Sequence, residues 1–187
     1  MNNKTNYLQK NYWESQLLHK DVYNLRFNST LINNIEKIKK EIFSLSNNSM
    51  VYIRFPIEEM NLKAYLKMIG FYKVDTYIDL RILRNEIKHE TNKDFSLVDY
   101  KENELQQIQA ICKEIFKHSR FHNDKNISNS KASKSRVKWF EDSIEDKNKK
   151  IYTYRTNGKV LGFLIEKGVN KKTTIDLVGV SNNFQKQ

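Results

Sequence analysis

The sequence predicts an α+β fold, and three observations carry that expectation. Leu31, Ile35, Ile38, Ile42 and Leu45 recur at helical spacing, which puts apolar side chains on one stripe of a helix. Val51, Ile53 and Phe55 alternate with Tyr52 and Arg54, the period of a strand with one buried face. Late in the chain, Asn157-Gly158 stands between two apolar-rich runs, a strong signal for a two-residue hairpin. Helices set apart from antiparallel strands make the class α+β.

Taken in order, "VYNLRF" fits a first strand, and the periodic helix follows over 31–45, with Asn28 to Thr30 as caps and "SNNS" as its stop. After the strand "MVYIRF", Pro56 and "IEEM" open a second helix through Leu62, Leu66 and Ile69. Gly70 stands where a left-handed C-terminal cap is wanted. "FYKVDTYIDLRIL" then alternates as a long strand, with Val74, Thr76, Ile78, Leu80 and Ile82 on one face. The polar run Arg84 to Asp94 marks a boundary, giving domains of 1–88 and 89–187.

The second half opens with a short strand in "FSLVDY". Asp99 caps the next helix, with Glu102 as its capping-box partner. That helix runs through Leu105, Ile108, Ile111, Cys112, Ile115 and Phe116. A polar loop leads to another helix that buries Val137, Phe140 and Ile144. "IYTYRT", "KVLGFLIEKG" and "TTIDLVGV" complete a three-strand antiparallel meander.

Composition narrows the function classes. The chain has 187 residues and a formal charge of +11, but its lysines are scattered among Asn and Glu. A solvated surface explains that pattern better than a nucleic-acid stripe, so a nucleic-acid partner is not expected. Cys112 is the sole cysteine; no internal disulfide and no Cys-rich metal site is available, and a reducing, cytoplasmic setting follows. No stretch approaches the roughly 18 apolar residues of a membrane span, so no membrane partner is expected.

The order strand, two helices, hairpin, strand, and then a loop beginning with Gln resembles the acetyl-CoA-dependent N-acetyltransferases of the GNAT superfamily. "IYTYRTNGKVLGFLIEKG" and "TTIDLVGVSNNFQKQ" look like that family's second, third and fourth strands. Gln185, Lys186 and Gln187 match the first positions of its Gln/Arg-x-x-Gly-x-Gly/Ala phosphate loop. The resemblance implies that Leu177, Val178, Gly179 and Val180 bond the pantetheine arm of acetyl-CoA like an added strand. It also implies that Phe184 to Gln187 enter the phosphate loop, whose glycines bring backbone N–H groups close to a pyrophosphate. Gly179 is expected to mark a bulge that opens the thioester slot. On this reading the GNAT-like fold is C-terminally incomplete. The loop glycines, their helix, a fifth strand and the usual acid Tyr would follow Gln187. Negligible turnover and weak coenzyme affinity are the expectations, with self-association as a homodimer or exchange with a partner chain along the open fourth strand.

A second stretch narrows the resemblance. Ser119-Arg120-Phe121-His122, Asp124, Ala132 and Trp139 resemble the loop and helix of dTDP-fucosamine acetyltransferase and related amino-sugar N-acetyltransferases. The implied acceptor is the amine of a nucleotide-linked sugar. Arg120 suits its diphosphate, Phe121 a sugar or base, and His122 and Asp124 its hydroxyls. A structural reading stands beside this one: Arg120 and Asp124 bridge the loop, and His122 caps a helix end. Asp176 is the candidate base for the amine proton, or else a solvated acid on a strand face. No metal is expected. Asn61, Ala64, Gly70 and Phe71 resemble the closing segment of a GNAT domain, which makes residues 1–88 a partial GNAT-like subdomain. Two other classes stay open: a GNAT enzyme acting on a protein N-terminus or polyamine, and a non-catalytic interaction domain.

Overall fold

A computed structural model describes residues 7–28, 31–78, 96–169 and 172–185. The chain divides into two compact units, Met1–Lys73 and Val74–Gln187. The expected boundary segment 84–94 lies outside the described residues.

The first unit contains a three-stranded sheet in the order β1 (Leu8–Lys10), β2 (Asp21–Leu25), β3 (Ser49–Ile53). β1 and β2 are antiparallel, whereas β2 and β3 are parallel and register Tyr23 against Val51. A parallel pair needs a crossover; α2 (Ile35–Phe43), entered through a 3-10 turn at Ile32–Asn34, supplies it. α1 (Tyr12–Leu18) starts where the Asn11 side chain accepts from the Glu14 N–H at 3.1 Å. It ends at His19, in the left-handed region at φ 54°. α3 (Met60–Met68) closes on a Schellman motif. Phe71 N–H donates to Leu66 C=O at 2.9 Å, and Gly70 N–H donates to Lys67 C=O at 3.1 Å. Gly70 has φ +102°, which only glycine adopts at little cost. Tyr7, Leu25, Leu31, Ile38, Leu62 and Leu66 form the buried core.

Two features of this half depart from expectation. β1 and α1 were not foreseen. The long strand expected from residue 71 does not form over 71–78; its remainder lies outside the described residues. Asp75 Oδ1 accepts from the Thr76 N–H at 2.7 Å, a local bond that competes with ladder pairing. Tyr77 and Ile78 lie exposed.

The described residues of the second unit form a four-stranded antiparallel sheet in the order β4 (Val98–Asp99), β5 (Lys149–Thr156), β6 (Lys159–Val169), β7 (Lys172–Val180). The hairpin turn at Asn157 and Gly158 has φ 48° and 74°, positive at both positions as a type I′ turn requires. α4 (Leu105–Ile115) and α5 (Asn129–Glu145) pack on one face of the sheet. Ile108, Ile111, Cys112, Val137, Phe140, Val160, Phe163, Ile165 and Leu177 share the core. Tyr100, Phe140 and Phe163 stack edge to face, with 5.6 Å between successive ring centroids.

α4 is not capped by Asp99, which instead pairs with Tyr152 in β4. The helix is entered through a 3-10 turn at Glu102–Glu104, and the Glu104 carboxylate accepts from the Lys101 N–H at 2.9 Å. Ile144 is exposed. Ser143 takes the inward position, donating to Trp139 C=O at 2.7 Å and accepting from Lys149 Nζ at 3.0 Å.

The expected bulge at Gly179 is not there. Gly179 pairs in register with Phe163, and the register shift falls where Ile165 faces Leu177 but Glu166 faces Ile175. Asp176 is therefore the extra residue, and the bulge turns both Asp176 and Leu177 towards the helices. Packing explains the glycine instead. A Cβ at 179 would stand 2.7 Å from both Ile115 Cδ1 and Phe163 Cε1.

Candidate functional site

The end of α4, the loop from residue 116 to 128 and the first turns of α5 bring the expected acceptor residues together. Ser119 is buried, and its carbonyl accepts from the N–H groups of His122 and Asn123 at 2.9 and 3.1 Å. This tight turn fixes the His122 ring. Nδ1 lies 2.8 Å from Ser119 Oγ, and Nε2 lies 3.4 Å from Ser133 Oγ on α5. Burial lowers the His122 pKa, and the neighbouring charges of Arg136 and His118 lower it further. The ring is thus neutral at neutral pH, with one nitrogen as donor and the other as acceptor.

Arg120 and Phe121 form a unit. The guanidinium carbon of Arg120 sits 4.4 Å from the centroid of the Phe121 ring, and Phe121 itself is 4% exposed. The ring is a support for Arg120, with little surface left for a sugar or base. Asp124 turns back on its own loop: its Oδ1 accepts from the Asn126 N–H at 2.8 Å, and its carbonyl accepts from the Ile127 N–H at 3.0 Å. That is an Asx-type turn.

One basic residue at this site was missed by sequence reasoning. Arg136 lies one turn beyond Ser133 on α5, so the two share a face. Its guanidinium carbon is 5.5 Å from the Phe116 ring centroid and 5.9 Å from that of Trp139. Its Nε is buried without a hydrogen-bond partner among the described residues. Burial and the charge of Arg120 both lower its pKa. A basic residue among other basic residues on a helix reads as solvated surface, so only the fold reveals it.

Among the described residues, β7 is the outer strand of its sheet. Ser181 N–H donates to Leu161 C=O at 2.8 Å, so the backbone groups of 181 and 179 turn inwards to β6. Strand alternation then turns those of Val178 and Val180 outwards. The side chains of Val178 and Val180 are exposed, whereas Leu177 is buried. The strand ends in a 3-10 turn at Asn182–Phe184. Gln185 Nε2 folds back to Val180 C=O at 2.9 Å and to Asn182 Oδ1 at 3.2 Å. Phe184 lies beneath Lys159, whose Nζ is 5.7 Å from the ring centroid. Lys186 and Gln187 lie outside the described residues.

Asp176, the expected base, is tied on two sides. Its Oδ2 accepts from Trp139 Nε1 at 2.9 Å and pairs with Lys149 Nζ at 2.7 Å. The Lys149 ammonium also lies 5.3 Å from the Trp139 ring centroid.

Other chemistry finds little support. Burial pushes the Cys112 thiol up to about 12, so a thiolate nucleophile is not formed near neutral pH. Among the described residues, no cluster of three or more His, Cys, Asp or Glu is placed to hold a metal. No described helix is long and apolar enough to cross a membrane. A depression of about 360 Å³ in the first unit is lined by Lys10, Tyr12, Ser15, His19 and Asp21. Its Lys10 and Asp21 neutralise each other, 2.5 Å apart.

No family model and no curated protein matches the chain. Among solved structures, it is similar to a functionally unknown conserved protein from Staphylococcus epidermidis ATCC 12228. That match has a TM-score of 0.58 and 13% identity, over 100% of this chain and 78% of that one. A Staphylococcus aureus protein described as a GNAT family acetyltransferase aligns with 49% of this chain and 77% of its own, at 22% identity and TM-score 0.35. A transcriptional regulator from Bacillus halodurans C-125 aligns with 50% of this chain at 17% identity and TM-score 0.35, and the chain spans 64% of its length. These two partial likenesses select neither activity. The chain shares the overall α+β fold of the Staphylococcus epidermidis protein.

Proposed function

We propose that this chain carries the acyl-transfer face of a GNAT-type N-acetyltransferase, which moves acetyl from acetyl-CoA to the amine of a nucleotide-linked amino sugar. The observation that supports this reading is the outer edge of β7. There Val178 and Val180 turn backbone groups outwards, and the strand runs directly into the turn that holds Phe184 and Gln185. An extended arm docks on such an edge by strand addition. Bound acetyl-CoA would supply an activated acyl thioester. Val178 and Val180 would hold its arm, and Gln185 would release Val180 C=O to complete the pairing. Residues 89–187 form the transferase domain on this reading, with 1–88 as its GNAT-like companion.

The loop from 116 to 128 would face the acceptor. Arg120 and Arg136 give that side a positive character that disfavours a polyamine and favours an acceptor bearing phosphate. Asp176 serves better as an anchor for α5 and β7 than as a free base, since Lys149 and Trp139 occupy its carboxylate.

Incubating the protein with acetyl-CoA and a panel of amines, then reading acetylated products by mass spectrometry, tests this proposal. Preferential acetylation of nucleotide-linked amino sugars supports it. Acetylation of polyamines or peptide N-termini instead would move the acceptor. No product, together with no acetyl-CoA binding, would leave a non-catalytic interaction domain.

A further inference from the structure

We infer that Arg136 and Arg120 form a seat for a phosphate or diphosphate group between the 116–128 loop and α5. Arg136 carries the inference because one of its donors, Nε, is already desolvated: it is buried with no hydrogen-bond partner among the described residues. A buried guanidinium donor left unpaired is costly, so a native site that holds one usually completes it with a ligand or water.

The surroundings favour an anion. Phe116 and Trp139 hold the guanidinium at 5.5 and 5.9 Å from their ring centroids, which orients its planar fork without neutralising it. Asp176, an acid in electrostatic reach of Arg136, is spent on Lys149 and Trp139. Arg120 is close enough for its charge to act on Arg136, and it is propped on the buried Phe121 ring. His122 is bound to Ser119 and Ser133, which pins the loop against the helix turn that carries Arg136. The charge of Arg120 acts unfavourably on that of Arg136, and a multivalent oxyanion bound beside Arg136 would offset that repulsion. A phosphate group, with several oxygens and up to two charges, suits the pair better than a single carboxylate.

The acetyltransferase reading bears only on which molecule brings the phosphate. Anion binding is therefore measured without acetyl-CoA, so that failure of one idea is separable from failure of the other. Inorganic pyrophosphate is titrated calorimetrically into the protein at low ionic strength. Arg136→Gln is expected to weaken binding about tenfold or more, as loss of a charge-assisted fork implies. Arg120→Gln should also weaken it, whereas Lys134→Gln, the same charge change at an exposed position of α5, should leave it within about twofold. If Arg136→Gln does not fold, Arg136→Lys is used; it keeps the charge but loses the fork, and it should bind measurably more weakly than the wild type. Uridine diphosphate binding tighter than pyrophosphate would assign the phosphate to a nucleotide, and equal binding would assign it to the free anion. No binding at millimolar pyrophosphate, or equal weakening by Lys134→Gln and Arg136→Gln, would overturn the inference.

Discussion

The indole N–H of Trp139 on α5 donates to Asp176 Oδ2 on β7 at 2.9 Å. Asp176 is the extra residue of the β7 bulge, and Lys149 closes the same carboxylate at 2.7 Å. The bulge therefore links a helix and two strands through one acid. The Lys149 and Asp176 side chains are 9% and 15% exposed, so removing one charge strands the other in a poorly solvated place. Asp176→Asn is expected to destabilise the protein by about 3 kcal/mol in urea unfolding. A loss of acyl transfer with unchanged stability would instead make Asp176 the base.

Gly179 is held by space. An added Cβ meets Ile115 Cδ1 and Phe163 Cε1 at 2.7 Å, so Gly179→Ala should cost about 1–3 kcal/mol through overpacking. The Ile115 methyl is a flexible end, and the added substitution Ile115→Val removes it. The double variant is expected to regain part of the loss. A single variant as stable as the wild type would show that the packing yields freely.

Glu104 ties the start of α4 to β5. Its carboxylate pairs with Arg155 and accepts from Thr153 Oγ1 at 3.2 Å. Burial alone would raise its pKa, but the Lys101 N–H, the Arg155 guanidinium and Thr153 outweigh it and hold the carboxyl below its ordinary value. A depressed carboxyl adds stability that is present above the unfolded value near 4.5 and is lost as pH falls through the folded value. Glu104→Gln should cost about 2 kcal/mol at pH 7. That gap should narrow as the pH drops below about 4.5. A gap that stays constant down to pH 3 would contradict the assignment.

Much of the fold was legible because the signals were local. Asn157-Gly158 demanded its turn, Gly70 its cap, and the Ile and Leu periods of α2, α3 and α4 their helices. β1 and α1 escaped because a strand of 3 residues and a helix of 7 leave little period to read. The alternating run at 71–78 read as a strand, but alternation does not supply a neighbour. The bulge at Asp176, and the support of Arg120 by Phe121, depend on contacts between elements far apart in sequence. Arg136 was hidden for the same reason.

The most direct test of the acetyltransferase account is a titration of acetyl-CoA into ¹⁵N-labelled protein, followed by amide resonances. Nuclear magnetic resonance detects even millimolar binding, so weak affinity does not blunt it. The account predicts shifts concentrated at Leu177 to Val180 and at Phe184 and Gln185, with α3 unmoved. Saturating acetyl-CoA that leaves the β7 amides unshifted would contradict it.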